Sequence, residues 1–311
     1  MKTILMCVLV MATEVVAHAG VIRVPSDAPT VQAAVDRASD GDVIKVAPGR
    51  WCGATIDREV HLVGSWGATI QGCAAITQFG GLRVGFLLVD DRASGTSIRG
   101  FRFDGEGIST TNTDPLGLAV LGRGAHGVVV AGNWIDGTVQ GITNTGGDDW
   151  LVIGNTIHGL SIFGCVDPNG RCGGGVGIVM QQRDPALDRA FGNHVLLNDV
   201  EGAIPDGLAI VGMTAVFLVG QDHPLVSVNR VAIPHNPAAS ASGIGVQIAS
   251  DCCGEPDPLP TTLHAVITNN DGRGSEIAVQ IDPEGSGGCE SGNSAIVKHD
   301  LGVVIICGEL Q

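Results

Sequence analysis

Asn133-Trp134-Ile135-Asp136-Gly137, Asn155-Thr156-Ile157-His158-Gly159 and Asn198-Asp199-Val200-Glu201-Gly202 repeat one phrase: asparagine, any residue, an apolar residue, a polar residue, glycine. A weaker copy reads Asn229-Arg230-Val231-Ala232, and Phe101-Arg102-Phe103-Asp104-Gly105 is an upstream version without the asparagine. Successive copies lie 32, 22, 43 and 31 residues apart. A minimal period near 22 that only ever lengthens is the signature of a solenoid, in which each coil has a fixed core and some coils carry inserted loops.

Each phrase follows a β-branched run, and each coil holds a further apolar run: Leu118–Leu121, Gly141–Thr143, Val176–Met180, Leu208–Val211, Ile244–Ile248 and Ile277–Ile281. Alternating residues suit strands with one face inward. The pattern predicts about nine coils, with insertions near 104–117, 160–175, 182–191, 212–224, 232–242, 249–263 and 282–293 leaving the stack at two corners and walling a groove. Asn133, Asn155, Asn198 and Asn229 are expected to stack their amides as a turn ladder, a position where asparagine also tolerates left-handed backbone angles.

With 311 residues, 47 glycines and 44% apolar content, the chain has the turn content of an all-β protein and enough apolar mass for a long, narrow core. Lys2, the apolar stretch Ile4–Ala12 and Ala17-His18-Ala19-Gly20 read as an export signal, so residues 1–19 are expected to be removed and 20–311 to form a single domain. No later segment supplies the roughly 20 apolar residues of a membrane span. The product is expected outside the cytoplasm, secreted or periplasmic. Eight cysteines then remain, an even number that points to disulfides. Cys52 with Cys73 could join neighbouring coils, Cys165 with Cys172 could close a loop, and Cys289 with Cys307 could tie the last coil. The net charge of −15 repels nucleic acid and anionic membrane.

Near the start, Val31, Ala34, Val35 and Ala38 share one face of a short helix placed to cover the first coil. Thr30-Val31-Gln32-Ala33-Ala34-Val35-Asp36, Gly41-Asp42-Val43-Ile44-Lys45-Val46 and Ala47-Pro48-Gly49-Arg50-Trp51 resemble the entry of right-handed parallel β-helix proteins of the pectin-lyase-like superfamily. The resemblance covers residues 21 to 300 and implies an all-β, single-stranded parallel β-helix with an N-terminal capping helix. That architecture carries lyases, hydrolases, esterases, phage spikes and non-catalytic proteins, so it implies no one activity.

If the phrases stack in register, the residue after the inward apolar one forms an outward column of Asp104, Asp136, His158, Glu201 and Ala232, with rungs about 4.8 Å apart. Carboxylates flanking a histidine suit acid–base work on a glycosidic bond, so Asp136, His158 and Glu201 are the catalytic candidates. Trp134 is the candidate sugar platform, with Asp104, Arg230, Asp148 and Asp149 as further substrate-binding candidates. Trp51 and Trp66 read as packing residues.

A second column, seven residues before each asparagine, contains His126, Asp148, Phe191 and Asp222, with Asp149 and His223 beside it. Gly146-Gly147-Asp148-Asp149 resembles the paired aspartates of polygalacturonase-type hydrolases, but that family's later Gly-His-Gly and Arg-Ile-Lys motifs are missing. A lyase would need a basic residue such as Arg123, Arg230 or Arg273. The sequence specifies no cofactor and no metal ligands; acidic pairs could hold Ca²⁺, although no stretch has calcium-loop spacing. No methionine or histidine cluster favours copper. The expected function is carbohydrate chemistry on an extracellular polysaccharide, hydrolysis before lysis; the alternative is a non-catalytic surface or periplasmic binding protein.

Overall fold

The computed structural model describes residues 19–73, 78–79, 82–105, 116–161, 175–184, 186–204, 212–238, 242–249, 260, 262–281 and 305–306. Three parallel sheets run the length of these residues. The first holds Val21–Val24, Asp42–Val46, Val60–Gly64, Ser97–Arg99, Val129–Ala131, Leu151–Ile153, His194–Leu196, Leu225–Ser227 and Val266–Thr268, with Ile305–Ile306 added antiparallel. The second runs from Gly49–Cys52 to Arg230–Ala232, and the third from Ala54–Ile56 to Ile277–Ile281. Seven turns visit the sheets in that order, and the last passes from Val266–Thr268 to Ile277–Ile281 with only an isolated bridge from Asp271 to Arg230 on the second sheet. The chain is therefore the expected parallel β-helix, with eight turns among the described residues and Val21–Val24 as a ninth rung on the first sheet.

The apolar residue of each phrase points into the core. Phe103, Ile135, Ile157, Val200 and Val231 stack in consecutive register and are fully or almost fully buried. They meet Ile98, Val130, Val152, Val195 and Val226 from the first sheet and Phe86, Val120, Ile142, Ile178, Val216 and Val246 from the third. The third sheet makes room for them with small residues. A Cβ on Gly177 would lie 2.5 Å from Val200 Cγ1 and 2.7 Å from the Ala215 carbonyl, so no larger side chain fits there.

The corner between the first and second sheets is two residues long in most turns, and its second residue is the ladder asparagine. Asn133 Nδ2 donates to Asn155 Oδ1 at 3.0 Å, Asn155 to Asn198 at 3.0 Å, Asn198 to Asn229 at 3.0 Å and Asn229 to Asn270 at 2.9 Å. The same oxygens accept the backbone N–H of the asparagine one turn earlier, and each amide also donates to a first-sheet carbonyl. Nearly the full hydrogen-bonding capacity of each amide is thus used in the interior. Asn270 is a fifth member that the phrase search passes over. At the other end the Phe101 N–H donates to Asn133 Oδ1, and the Phe101 ring replaces an amide by packing edge-on against Phe86.

The left-handed residue is not the asparagine, contrary to expectation, but the one before it: Gly132, Gly154, Leu197, Val228 and Asn269 have φ between 55° and 63°. The asparagine must keep an extended backbone to aim its amide along the stack, so the turn is made one place earlier. A second correction concerns residues 212–224, expected as an insertion. Met213–Val219 is a wholly buried strand whose Val216 pairs with Ile178 and Val246. The competing run Leu208–Val211 lies outside the described residues, and two neighbouring apolar runs cannot be ranked by periodicity.

The expected helix is Val31–Arg37, started by Thr30, whose side chain accepts from the Ala33 N–H. Val31, Ala34 and Val35 are buried against the first turn. From its outer side, Gln32 Nε2 donates to the Thr55 carbonyl at 3.1 Å and its Oε1 accepts the Thr55 N–H at 2.8 Å. That amide closes the otherwise open edge strand Ala54–Ile56. Cys52 and Cys73 form a disulfide across 21 residues, tying the first two turns. The other proposed cysteine pairs and the expected export signal, apart from Ala19, lie outside the described residues.

Two substitutions test the corner. Asn198→Ala removes the acceptor of the Asn155 N–H and of one Asn155 amide hydrogen and the donor to the Val152 carbonyl, and should cost about 3 kcal/mol or more in urea unfolding, since each buried unsatisfied group costs about 1–3 kcal/mol. Val228→Gly, at an exposed left-handed position, should raise stability by about 1 kcal/mol.

Candidate functional site

The outward column predicted from the phrase exists. Asp104 pairs with Asp136 and Asp136 with His158 in direct register. After Ile157 the register shifts, and a bulge around His158 and Gly159 precedes the alignment of Leu160 with Gly202. Bulges re-aim side chains. Here His158 Nε2 is turned beneath the surface, 3.9 Å from Glu201 Oε2, too far for a hydrogen bond, and it has no hydrogen-bond partner. The Trp134 ring meets the His158 ring at 5.0 Å, edge-on. Trp134 is half-exposed, as a platform would be.

Beside this column runs a second outward one, two residues earlier on each strand: Arg50, Thr69, Arg102, Trp134, Thr156, Asp199, Arg230 and Asp271. Its arginines are paired with the carboxylates. Arg50 reaches Asp104 at 3.1 Å, Arg102 reaches Asp136 at 3.6 Å, and Arg230 bonds Asp199 at 2.6 Å and also Glu201. The hydrogen bonds that it donates to Glu201 and Asp199 hold the Arg230 guanidinium above its usual range. Asp271 is drawn down from the ordinary 3.8 to about 2, chiefly by the Arg273 side chain, against partial desolvation.

Asp136 and Glu201 stand two rungs apart, about 10 Å along the stack. That exceeds the roughly 5–5.5 Å of retaining glycosidase pairs and sits at the upper margin of inverting ones. The setting is also open. The corner on the first-sheet side has two residues at Gly132-Asn133 and Gly154-Asn155, so no wall rises there. The connections that leave the second sheet after Gly105, Ser161 and Ile204 pass out of the described residues. The outer face of the third sheet carries Leu87, Leu121, Thr143, Val179 and Phe217 in one column, all buried. Most of the insertions expected to wall a groove lie outside the described residues.

Asp148 and Asp149 lie elsewhere, at the corner between the third and first sheets. Asp148 Oδ1 accepts the Phe191 N–H at 2.7 Å, and its Oδ2 faces His126 Nδ1 at 3.2 Å; Asp149 is left-handed with φ of 54°. They cap a turn and do not join the trio. Trp66, expected to pack, is 98% exposed. Its corner, Ser65-Trp66-Gly67, has one residue more than most, which throws the ring outward. Trp51 is partly buried and Trp150 fully so.

Sequence reasoning passed over one cluster. At the same corner as Asp148, Asp222 Oδ1 lies 2.6 Å from His264 Nδ1 and 2.9 Å from His223 Nδ1. A signal was present: His223 and His264 each stand six residues before a ladder asparagine, Asn229 and Asn270. Two groups of three metal-ligand types converge among the described residues, this one and His158 with Asp199 and Glu201. No helix among them is long and apolar enough to cross a membrane.

No family model and no curated protein matches the chain. Two solved structures are similar to it. A polygalacturonase from Erwinia carotovora ssp. carotovora is 11% identical, over 85% of this chain and 91% of that one, with a TM-score of 0.45. PfbA, a surface adhesin of Streptococcus pneumoniae, is 12% identical, over 81% and 75%, with a TM-score of 0.46.

The Asp271 shift has a readable sign. A depressed folded value means its contribution to stability is complete above pH 3.8 and is lost as the pH falls toward about 2. Carboxyl-detected NMR should place the Asp271 midpoint near 2, and Arg273→Gln should return it toward 3.8.

Proposed function

We propose that this chain is an exported β-helix protein that binds extracellular polysaccharide along the outer face of its second sheet, without cleaving it. The observation that carries this reading is the way the face is composed. Its carboxylates Asp104, Asp136, Asp199 and Glu201 are already matched by Arg50, Arg102 and Arg230, which leaves a polar strip with the exposed rings of Trp134 and, at its margin, Trp66. Such a strip offers fork-shaped donors, acceptors and aromatic faces to sugar hydroxyls and ring C–H groups. A general acid, by contrast, needs an enclosed carboxyl free to hold a proton. Asp136 and Glu201 are open to water and paired with arginines.

Hydrolysis is the second reading, favoured by the buried, partnerless Nε2 of His158 between Asp136 and Glu201. In that case Asp136 and Glu201 divide the roles of acid and base and His158 tunes them.

The test is a panel of neutral and uronate oligosaccharides measured by calorimetry and by reducing-end release. Trp134→Ala should weaken binding about tenfold, the value of one lost ring contact near 1.4 kcal/mol. The unsubstituted protein should release no product. Release that Glu201→Gln abolishes would transfer the assignment to hydrolysis.

A further inference from the structure

The corner between the third and first sheets carries a column of left-handed residues: Gly95, Gly127, Asp149, Gly192, His223 and His264. The backbone N–H groups at Gly95, Gly127, Asp149, Gly192 and His223 each donate to a carbonyl in the next turn, which fixes the column in register. Glycine is the expected occupant of such a place. In two successive turns the chain instead puts histidine there, at φ of 54° and 50°. The two rings stack with centroids 4.4 Å apart and planes 28° apart, and the Phe191 ring lies 5.2 Å from that of His223, tilted by 51°. Both Nδ1 atoms are aimed at the same oxygen of Asp222.

We propose that His223, His264 and Asp222 form a binding site for a zinc-class divalent cation, which would link two successive turns of the helix. Two imidazoles and one carboxylate are the donor set of open, three-ligand zinc sites, with water completing the shell. Calcium is a poor fit because it requires six to eight oxygens. The donor atoms lie within 4.8 Å of one another, and all three side chains reach solvent. Seating the ion requires the nitrogen–oxygen separations to widen from 2.6 and 2.9 Å to about 3.3 Å, a swing of the Asp222 carboxylate, and the stacked rings to splay so that both Nδ1 lone pairs converge. The other convergent group is less suited, since Arg230 bonds both Asp199 and Glu201 and a cation would have to displace it.

The site lies away from the proposed glycan face, so the two proposals stand or fall separately. The test uses the chain freed of metal by chelation and titrated with ZnCl₂, with CaCl₂ in parallel, by calorimetry and by ring-nitrogen NMR. One zinc ion should be taken up with movement of the His223 and His264 Nδ1 resonances, and calcium should give no such signal. The double variant His223→Gly, His264→Gly should lose that uptake by at least tenfold. It should keep a thermal midpoint no lower than that of the unsubstituted chain, because glycine holds the same place at Gly127 and Gly192. No zinc uptake, or uptake undiminished in the folded double variant, overturns the proposal.

Discussion

The whole molecule depends on the vertical spacing of its rungs, about 4.8 Å, and on what keeps that spacing in phase. Backbone pairing alone would allow a turn to slip by one residue and expose its core face. The buried asparagine column prevents this, because each amide must find both the amide above and a first-sheet carbonyl, and only one register satisfies them all. A slip anywhere would strand several polar groups in an apolar interior at once. The ladder therefore acts less as a source of net stability than as a constraint on alignment.

Given that constraint, a position in one turn predicts its neighbours in the next, which is why much of the second sheet could be read from the amino-acid order. Asp104, Asp136, His158 and Glu201 follow one another because their turns share a two-residue corner, so counting from the asparagine counts along the stack. The reading weakens with distance from that corner. The third sheet is reached after segments of variable length, so Met213–Val219 could not be told from the run before it. The third-to-first corner was legible through its column of His126, Asp148, Phe191 and Asp222. The histidine pair beside it stayed hidden because Asn270 lacks the full phrase and so was not used as a ruler.

Chemistry was less legible than position. That the carboxylates of the second sheet are matched by Arg50, Arg102 and Arg230 depends on a parallel column two residues upstream, invisible until the strands are aligned. Trp66 looked like a packing residue because it belongs to the first coils; one extra residue in its corner is enough to reverse its direction. Long side chains and short insertions decide whether a polar face becomes a pocket or a plane, and neither is encoded in the repeat.

The Gln32 side chain has an implication beyond the first turn. A stack of identical rungs has no intrinsic length: its terminal strand offers the same unsatisfied groups that every interior strand uses, so a second molecule could continue the spiral where the first begins. By presenting one carboxamide in the place of a neighbouring peptide bond, Gln32 occupies that template at Thr55. A single residue on a two-turn helix thus helps keep the solenoid a finite object rather than the starting segment of a fibre.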